Sequence, residues 1–213
     1  MLIPFKTLLA KYKFTPTGVF HIGASTGQEA KDYFNAGAEN VIWVEAIPQV
    51  FKQLERNIQE FPRMVSINEC IADVDGKEMT FNISNNEAQS SSLLELDYHK
   101  TDHPDVYYTE KIQVFTKRVD TLLKERKINL EDYNFLNIDL QGAELMALKG
   151  MGDELNKVKY AYLEVNKKHE YKDCPLLSDI DSYMDLFGFK RVELEWCGGF
   201  SWGDAMYIKR ELL

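Results

Sequence analysis

Apolar residues in this chain gather in short runs, and the runs are separated by segments of helical periodicity. Val19 to Ile22 is the first run, followed by a turn of small residues, Gly23-Ala24-Ser25-Thr26-Gly27. From Gln28 to Ala36, residues Ala30, Tyr33 and Phe34 recur at helical spacing until Gly37 stops the pattern. The second run, Val41 to Val44, closes on Glu45. Pro48 then opens a helix whose Val50, Phe51, Leu54 and Ile58 form one stripe, ended at Phe61-Pro62. Met64 to Ile67 and Cys70 to Ala72 predict a third strand, broken at Asn68 and Glu69. This β-α-β-α-β order is half of a doubly wound sheet.

Asp75-Gly76 reads as a hairpin turn leading into an alternating strand, Lys77 to Ile83. The polar segment from Ser84 to His103 is long for a loop in a compact domain, which favours a functional segment over an idle one. Lys111 to Lys117 alternates as a strand, and Val119 to Arg126 predicts a short helix. Phe135 to Asp139 reads as a buried strand ending in an acid, and Gly142 to Lys149 as a helix ended by Gly150. Lys159 to Val165 predicts a strand, Leu176 to Leu186 a helix, and Lys190 to Trp196 with Ala205 to Lys209 two closing strands. With no helix between them, the last two form an antiparallel hairpin at the sheet edge, giving a mostly parallel sheet with one reversed strand. Residues 1–14 predict an amphipathic helix packed on the domain, too short and too interrupted for a membrane span or a secretory signal.

Composition narrows the function classes. A chain of 213 residues, 45% of them hydrophobic, can bury a substantial core in a single domain over 1–213. The net charge of −9 argues against non-specific nucleic-acid binding, which requires basic patches. Cys70, Cys174 and Cys197 are odd in number and form no CxxC pair, so neither a disulfide framework nor a zinc knuckle is suggested, and a cytoplasmic setting fits best.

The chemistry starts at the first βαβ unit. Its turn holds only Gly23 and Gly27, a GxxxG that leaves a pyrophosphate cradle incomplete and speaks against a dinucleotide. Glu45 lies twenty-two positions after Gly23, the place of an acid that accepts ribose hydroxyls; a solvated strand-end carboxylate is the alternative. Asp139 ends its strand at the carboxyl edge, where doubly wound folds place ligands, and Glu144 sits in the first turn of the next helix, where it also suits the helix dipole. Glu164 and Asn166 close a neighbouring strand on the same rim. Two acidic or histidine clusters, His99/Asp102/His103/Asp105 and Asp139/Glu144/Glu164, have metal-ligand chemistry, but no metal is expected: the first lies in an irregular loop and the second is read as proton or substrate chemistry.

Five stretches in order, HIGASTGQE (21–29), VIWVEAIP (41–48), NIDLQGAELMALKGM (137–151), YLEVN (162–166) and WGDAMYIK (202–209), resemble the FkbM family of S-adenosylmethionine-dependent methyltransferases. The resemblance covers nearly the whole chain. It implies a three-layer αβα Rossmann-like class I methyltransferase fold, with a mostly parallel seven-stranded sheet and one antiparallel edge strand. It also implies S-adenosylmethionine as cofactor, held by His21, Gly23, Ala24, Gly27, Glu45, Ala46, Asp73 and Asp139, with Asp73 meeting the adenine. Asp139 and Glu144 are the candidate catalytic residues, and His21 or a loop histidine are further candidate bases. Ser91, Ser92, Glu164, Asn166 and Trp202 are the substrate-side candidates, with the loop 84–105 over the site and Trp196, Phe200 and Trp202 as an aromatic wall or as hairpin packing. The expected reaction is O-methylation of a small-molecule or glycan hydroxyl, with no nucleic-acid partner and no stable membrane insertion. A non-catalytic module of the same fold and a nucleotide-dependent oxidoreductase are the alternatives.

Overall fold

The computed structural model describes residues 1–213. Its strands in chain order are β1 (Val19–Ile22), β2 (Val41–Glu45), β3 (Met64–Asn68), β4 (Cys70–Ile71), β5 (Glu78–Ser84), β6 (Tyr108–Lys117), β7 (Phe135–Ile138), β8 (Tyr160–Asn166), β9 (Phe189–Trp196) and β10 (Trp202–Lys209). The helices are α1 (Phe5–Tyr12), α2 (Ala30–Asn35), α3 (Pro48–Ile58), α4 (His99–Asp102), α5 (Val119–Arg126), α6 (Glu144–Met151) and α7 (Leu177–Leu186).

The main sheet has seven strands in the order β3-β2-β1-β7-β8-β10-β9. Pairing is parallel from β3 through β8, whereas β10 runs antiparallel to both β8 and β9. Every residue of β1, β2 and β7 is buried, as a sheet covered on both faces requires. Alternate side chains go to opposite layers. Phe20, Ile22, Ile42, Val44, Leu136 and Ile138 pack with α5, α6 and α7, while Val19, Val41, Trp43 and Phe135 pack with α1, α2 and α3. The result is helix, sheet, helix.

Several expectations change in detail. The hairpin of β9 and β10 does close the sheet, but the reversed strand lies one place inside the edge, because β10 inserts between β8 and β9. The break at Asn68-Glu69 marks a change of sheet: β4 leaves the main sheet and pairs with β6 in a second sheet of order β4-β6-β5. Asp75-Gly76 is therefore no hairpin turn. It joins β4 to β5 with β6 lying between them, and the Asp75 carboxylate accepts the Arg118 N–H at 2.8 Å. Residues 84–105 are folded by an Asn82–Ser92 bridge and the short α4, and are tied to the segment after β8 by a Leu96–Tyr171 bridge.

Gly150 does not end α6, which runs on to Met151. The glycine is there for space: a Cβ on it would fall 2.2 Å from the carbonyl oxygen of Ala72, just past β4. This contact seats the second sheet against the first. Alanine is the better helix former in an open position by about 1 kcal/mol, so the sign of Gly150→Ala is diagnostic. It is expected to destabilise the protein by about 1–3 kcal/mol, read as a lower urea midpoint at unchanged slope. A midpoint at or above the parent's would mean that α6 moves freely against Ala72.

Candidate active site

The chain leaves β1 at Gly23 in the left-handed region (φ +80), where a Cβ would lie 1.7 Å from the Asp139 carbonyl oxygen. Only glycine lets the ends of β1 and β7 approach so closely. One strand over, Glu45 turns its carboxylate back towards this junction. Its Oε2 accepts the Ser25 N–H at 2.9 Å and its Oε1 the Ile47 N–H at 2.8 Å, so the acid ties the glycine turn to the start of α3. Each oxygen keeps a lone pair for a ligand. Burial pushes the Glu45 carboxyl up to about 7 against the pull of those amides.

Beyond β7 the chain passes through two left-handed residues, Gln141 (φ 52) and Gly142 (φ 95), before α6 begins. The Gln141 side chain bridges two carboxylates, its Nε2 donating to Asp139 Oδ1 at 2.7 Å and to Glu164 Oε2 at 2.5 Å. Tyr171 donates to Gln141 Oε1 at 2.6 Å, and Ser92 Oγ to the Gln141 carbonyl at 2.8 Å. Burial, then the nearby Asp139, drives the Glu164 carboxyl well above the usual range.

The reversal of β10 delivers its amino end to this edge, where Asp204 pairs with Glu164 and Trp202 with Asn166 in the ladder. Asp204 accepts the Leu2 N–H at 2.6 Å and the Tyr162 hydroxyl at 2.7 Å, so the segment ahead of α1 is fastened across the edge. The segment 86–106 closes the other side. Together they enclose a cavity of about 410 Å³ along the carboxyl ends of β1, β2, β7 and β8, within the range of small-molecule sites. Near Glu45 it is apolar, walled by Ile47, Val50, Cys70, Phe81 and Leu93. Past Glu164 it becomes polar, with Ser90, Ser91, His99, His103, Glu170 and Trp202. Aspartates and glutamates line it and no lysine or arginine does; the Met1 ammonium in its wall is paired with Glu29 at 3.3 Å. No three His, Cys, Asp or Glu side chains converge as a metal ligand set.

Of the residues expected at the site, Gly23, Glu45, Ala46, Ser91, Asp139, Glu164 and Trp202 line this cavity. Seven others do not. His21 faces the opposite layer, buried beside Trp43 and Tyr33, with its Nδ1 3.3 Å from the Tyr33 hydroxyl. Ala24 and Gly27 support the turn from behind, Gly27 against Leu54 of α3. Asp73 lies beyond the cavity, since the chain has already crossed into β4; Glu69 and Cys70 occupy the wall instead. Glu144 points inward, its Oε1 accepting the N–H groups of Leu140 (2.9 Å) and Gly142 (3.1 Å), which makes it a brace for the turn. Ser92 holds Gln141 from outside, and Asn166 is fully buried behind Trp202.

Sequence reasoning missed Gln141, Glu170 and Asp204 as site residues, and Met1 and Leu2 as wall. Gln141 and Asp204 stand inside the quoted motifs, whereas nothing local marks Glu170. Of the other aromatics, Phe200 packs on His103 with ring centroids 4.4 Å apart, and Trp196 carries the Lys167 ammonium at 4.0 Å.

The family profile of the methyltransferase FkbM domain matches residues 21–191, most of the chain and all but the last strand of the site. The chain belongs to the FkbM methyltransferase family. Like other members it is an S-adenosylmethionine-dependent methyltransferase. A 2-O-methyltransferase, NoeI of Sinorhizobium fredii, is 24% identical over 171 residues, covering 76% of this chain and 69% of that protein. Among solved structures, magnesium protoporphyrin IX methyltransferase of Synechocystis with bound S-adenosylmethionine superposes with a TM-score of 0.55 at 12% identity, over 96% of this chain and 76% of that one. The methyltransferase domain of a bacterial Hen1 protein gives 0.51 at 9% identity, over 95% and 93%. These likenesses establish the fold as that of class I methyltransferases.

The cavity of this FkbM methyltransferase suits its cofactor. The apolar slot beside Glu45 suits a flat purine, and the acids of the wall complement a sulfonium and an ammonium group.

Buried Glu144 gives a pH test of its bracing role. Burial raises its carboxyl to about 7, whereas in the unfolded chain it ionises near about 4.3. Between those values the folded state holds the extra proton, so this group's contribution to stability falls as pH rises through the window and levels off above it. His21 and His99, held neutral by burial, titrate in the opposite sense, and a comparison with the isosteric variant cancels them. Glu144→Gln keeps an oxygen for the two amides. Measured by urea unfolding, it should gain stability relative to the parent from pH 5 to pH 8, by on the order of 3 kcal/mol at the upper end. A difference that stays constant with pH would show that Glu144 does not titrate there.

Proposed function

We propose that this methyltransferase transfers the methyl group to a hydroxyl oxygen of a small molecule or glycan. The observation that carries this reading is the cavity itself: an apolar slot beside Glu45 at one end, a polar chamber at the other, and the Asp139–Gln141–Glu164 group between them. The 2-O-methyltransferase activity in the name of the Sinorhizobium relative supports oxygen as the acceptor atom.

When bound, S-adenosylmethionine supplies an electrophilic methyl carbon on a positively charged sulfur. Glu45 accepts the ribose hydroxyls, and Gly23 and Ala46 let backbone approach the cofactor. Transfer to an acceptor hydroxyl would displace the neutral thioether and release the hydroxyl proton, which a residue of this chain would have to take up. An alcohol is a weak nucleophile near neutral pH, so the base must be poised beside it. Asp139 is the residue we assign. It lies between slot and chamber, and Gln141 orients its carboxylate through Oδ1, leaving Oδ2 for the proton. Much of the rate enhancement comes from alignment of sulfur, methyl and oxygen, which in favourable cases supplies roughly 7–11 kcal/mol. The closing wall of residues 86–106 keeps water out of that line.

The reading leaves nucleic acid out as acceptor, supported by the net charge of −9 and by cavity walls without a lysine or arginine. No helix is long and apolar enough to cross a membrane. The three cysteines are free thiols, in keeping with a cytoplasmic enzyme.

Calorimetric titration should show one site for S-adenosylmethionine and for S-adenosylhomocysteine and none for NAD; selective binding of NAD would overturn the assignment. Glu45→Ala should weaken S-adenosylhomocysteine binding roughly ten-fold or more. Glu45→Gln repeats the test with less loss of the two amide contacts, and parental affinity in a folded variant of either kind would remove Glu45 from the ribose site. With S-adenosylmethionine labelled by carbon-13 at the methyl, turnover of hydroxylated acceptors should place the label in a methyl ether by NMR. Label found only on nitrogen or carbon would overturn oxygen as the acceptor atom.

A further inference from the structure

At the polar end of the cavity, several buried groups have no partner. His99 is 5% exposed and Glu170 1% exposed, both face the cavity, and His99 Nδ1 and Glu170 Oε2 lack any hydrogen bond. Asn166, fully buried and paired through the ladder with Trp202, has neither of its side-chain polar atoms satisfied. Leaving such a group unpaired is costly, and native interiors hold few of them. His99 and Glu170 bring two such atoms to the wall of one chamber, with Asn166 behind Trp202.

The surrounding scaffold is firm. The His99 N–H donates to the Glu170 carbonyl at 3.1 Å, which fixes α4 against the segment after β8. Ser201 donates through its hydroxyl to Glu170 Oε1 and through its N–H to Asp102 Oδ2 at 3.2 Å. The Trp202 indole donates to His103 Nε2 at 3.3 Å, and the His99 and His103 rings lie 4.8 Å apart. The chamber is thus preformed, with open hydrogen-bonding atoms and an indole at its wall.

Charge restricts what fits. The cavity lining has no lysine, no arginine and several acids, and the one ammonium there, at Met1, is paired with Glu29 at 3.3 Å, so a phosphate or carboxylate on the acceptor would enter without a free counter-charge and against like charge.

We propose that this chamber is the acceptor subsite, built for a ring-shaped polyol without anionic groups, in which His99 and Glu170 hydrogen-bond hydroxyls adjacent to the one methylated. The Trp202 ring lies against the polyol ring, and the walls reject phosphorylated and carboxylated counterparts. A site made to hydrogen-bond hydroxyls discriminates strongly against molecules that leave its buried groups unpaired. This inference rests on the methyltransferase reading above and adds the acceptor's charge class and the residues that read it.

The chain's four histidines make the test direct. The protein is saturated with S-adenosylhomocysteine and its imidazole signals are followed by nitrogen-15 correlated NMR. The methyl glycosides of glucose, galactose, mannose and fucose serve as neutral probes, with glucuronate and glucose 6-phosphate as charged counterparts. At least one neutral glycoside should shift the His99 and His103 signals. The signals of His21, behind the sheet, and of His169, bonded through Nδ1 to the Cys174 carbonyl, should stay in place. The charged probes should leave all four unmoved at the same concentration. His99→Asn and Glu170→Gln should each weaken the best neutral probe roughly ten-fold with unchanged S-adenosylhomocysteine affinity; if one fails to fold, the other decides. S-adenosylhomocysteine binding with no response to any neutral glycoside, or an equal response to a charged probe, overturns the subsite and leaves the methyltransferase reading standing. Failure to bind S-adenosylhomocysteine overturns both.

Discussion

The contact on which this structure turns is the passage of the Asp139 carbonyl past Gly23. A single methyl group at position 23 would fall 1.7 Å from that oxygen, so glycine at the end of β1 is what allows β1 and β7 to finish side by side. Around this junction the Asp139 N–H donates to the Ile22 carbonyl at 3.0 Å, and the N–H groups of Gly23 and Ala24 both donate to Val44. The ends of three strands are thereby locked into one rim. The glycine turn, Glu45 and the proposed base Asp139 keep their mutual positions because the backbone that carries them cannot shift independently.

The rim gathers carboxylates that would repel one another in isolation, and the surrounding structure manages them by burial and by donated hydrogen bonds. Glu45 and Glu144 each take two backbone amides, yet burial outweighs those bonds and both carboxyls rise to about 7. Gln141 spans Asp139 and Glu164 with one amide nitrogen, at the cost of a left-handed backbone that a non-glycine residue seldom adopts. Strain of that kind persists where neighbouring groups hold it, here Tyr171 and Ser92. The low-dielectric, acid-rich setting favours a cationic cofactor over any anion.

Topology supplies the rest. Because β10 runs against its neighbours, its first residues rather than its last reach the ligand edge, bringing Trp202 and Asp204 to the cavity. The second sheet, seated through Ala72 on Gly150, supplies the apolar slot and carries the closing segment. Two ends of different polarity then share one cavity, the arrangement a two-substrate transfer requires.

The local pattern alone determined the strands of the first βαβ unit, the helix from Pro48, the buried β7 and the acids at strand ends. Each of these depends on short-range periodicity, on a turn glycine or on the place where an apolar run stops. The spacing of Gly23 and Glu45 put both at the site for the same reason, since a βαβ unit has a nearly fixed length. Tertiary structure decided which face a residue serves. His21 and Ile22 are neighbours in sequence, but the two-residue alternation of a strand sends one behind the sheet and the other to the cavity side. It also decided that β4 leaves the sheet, which removes Asp73 from the wall, and that Glu144 turns inward to brace the backbone. Glu170 carries no local signal at all: it reaches the chamber only because the segment after β8 folds back against α4, a contact between residues distant in sequence that no local pattern encodes.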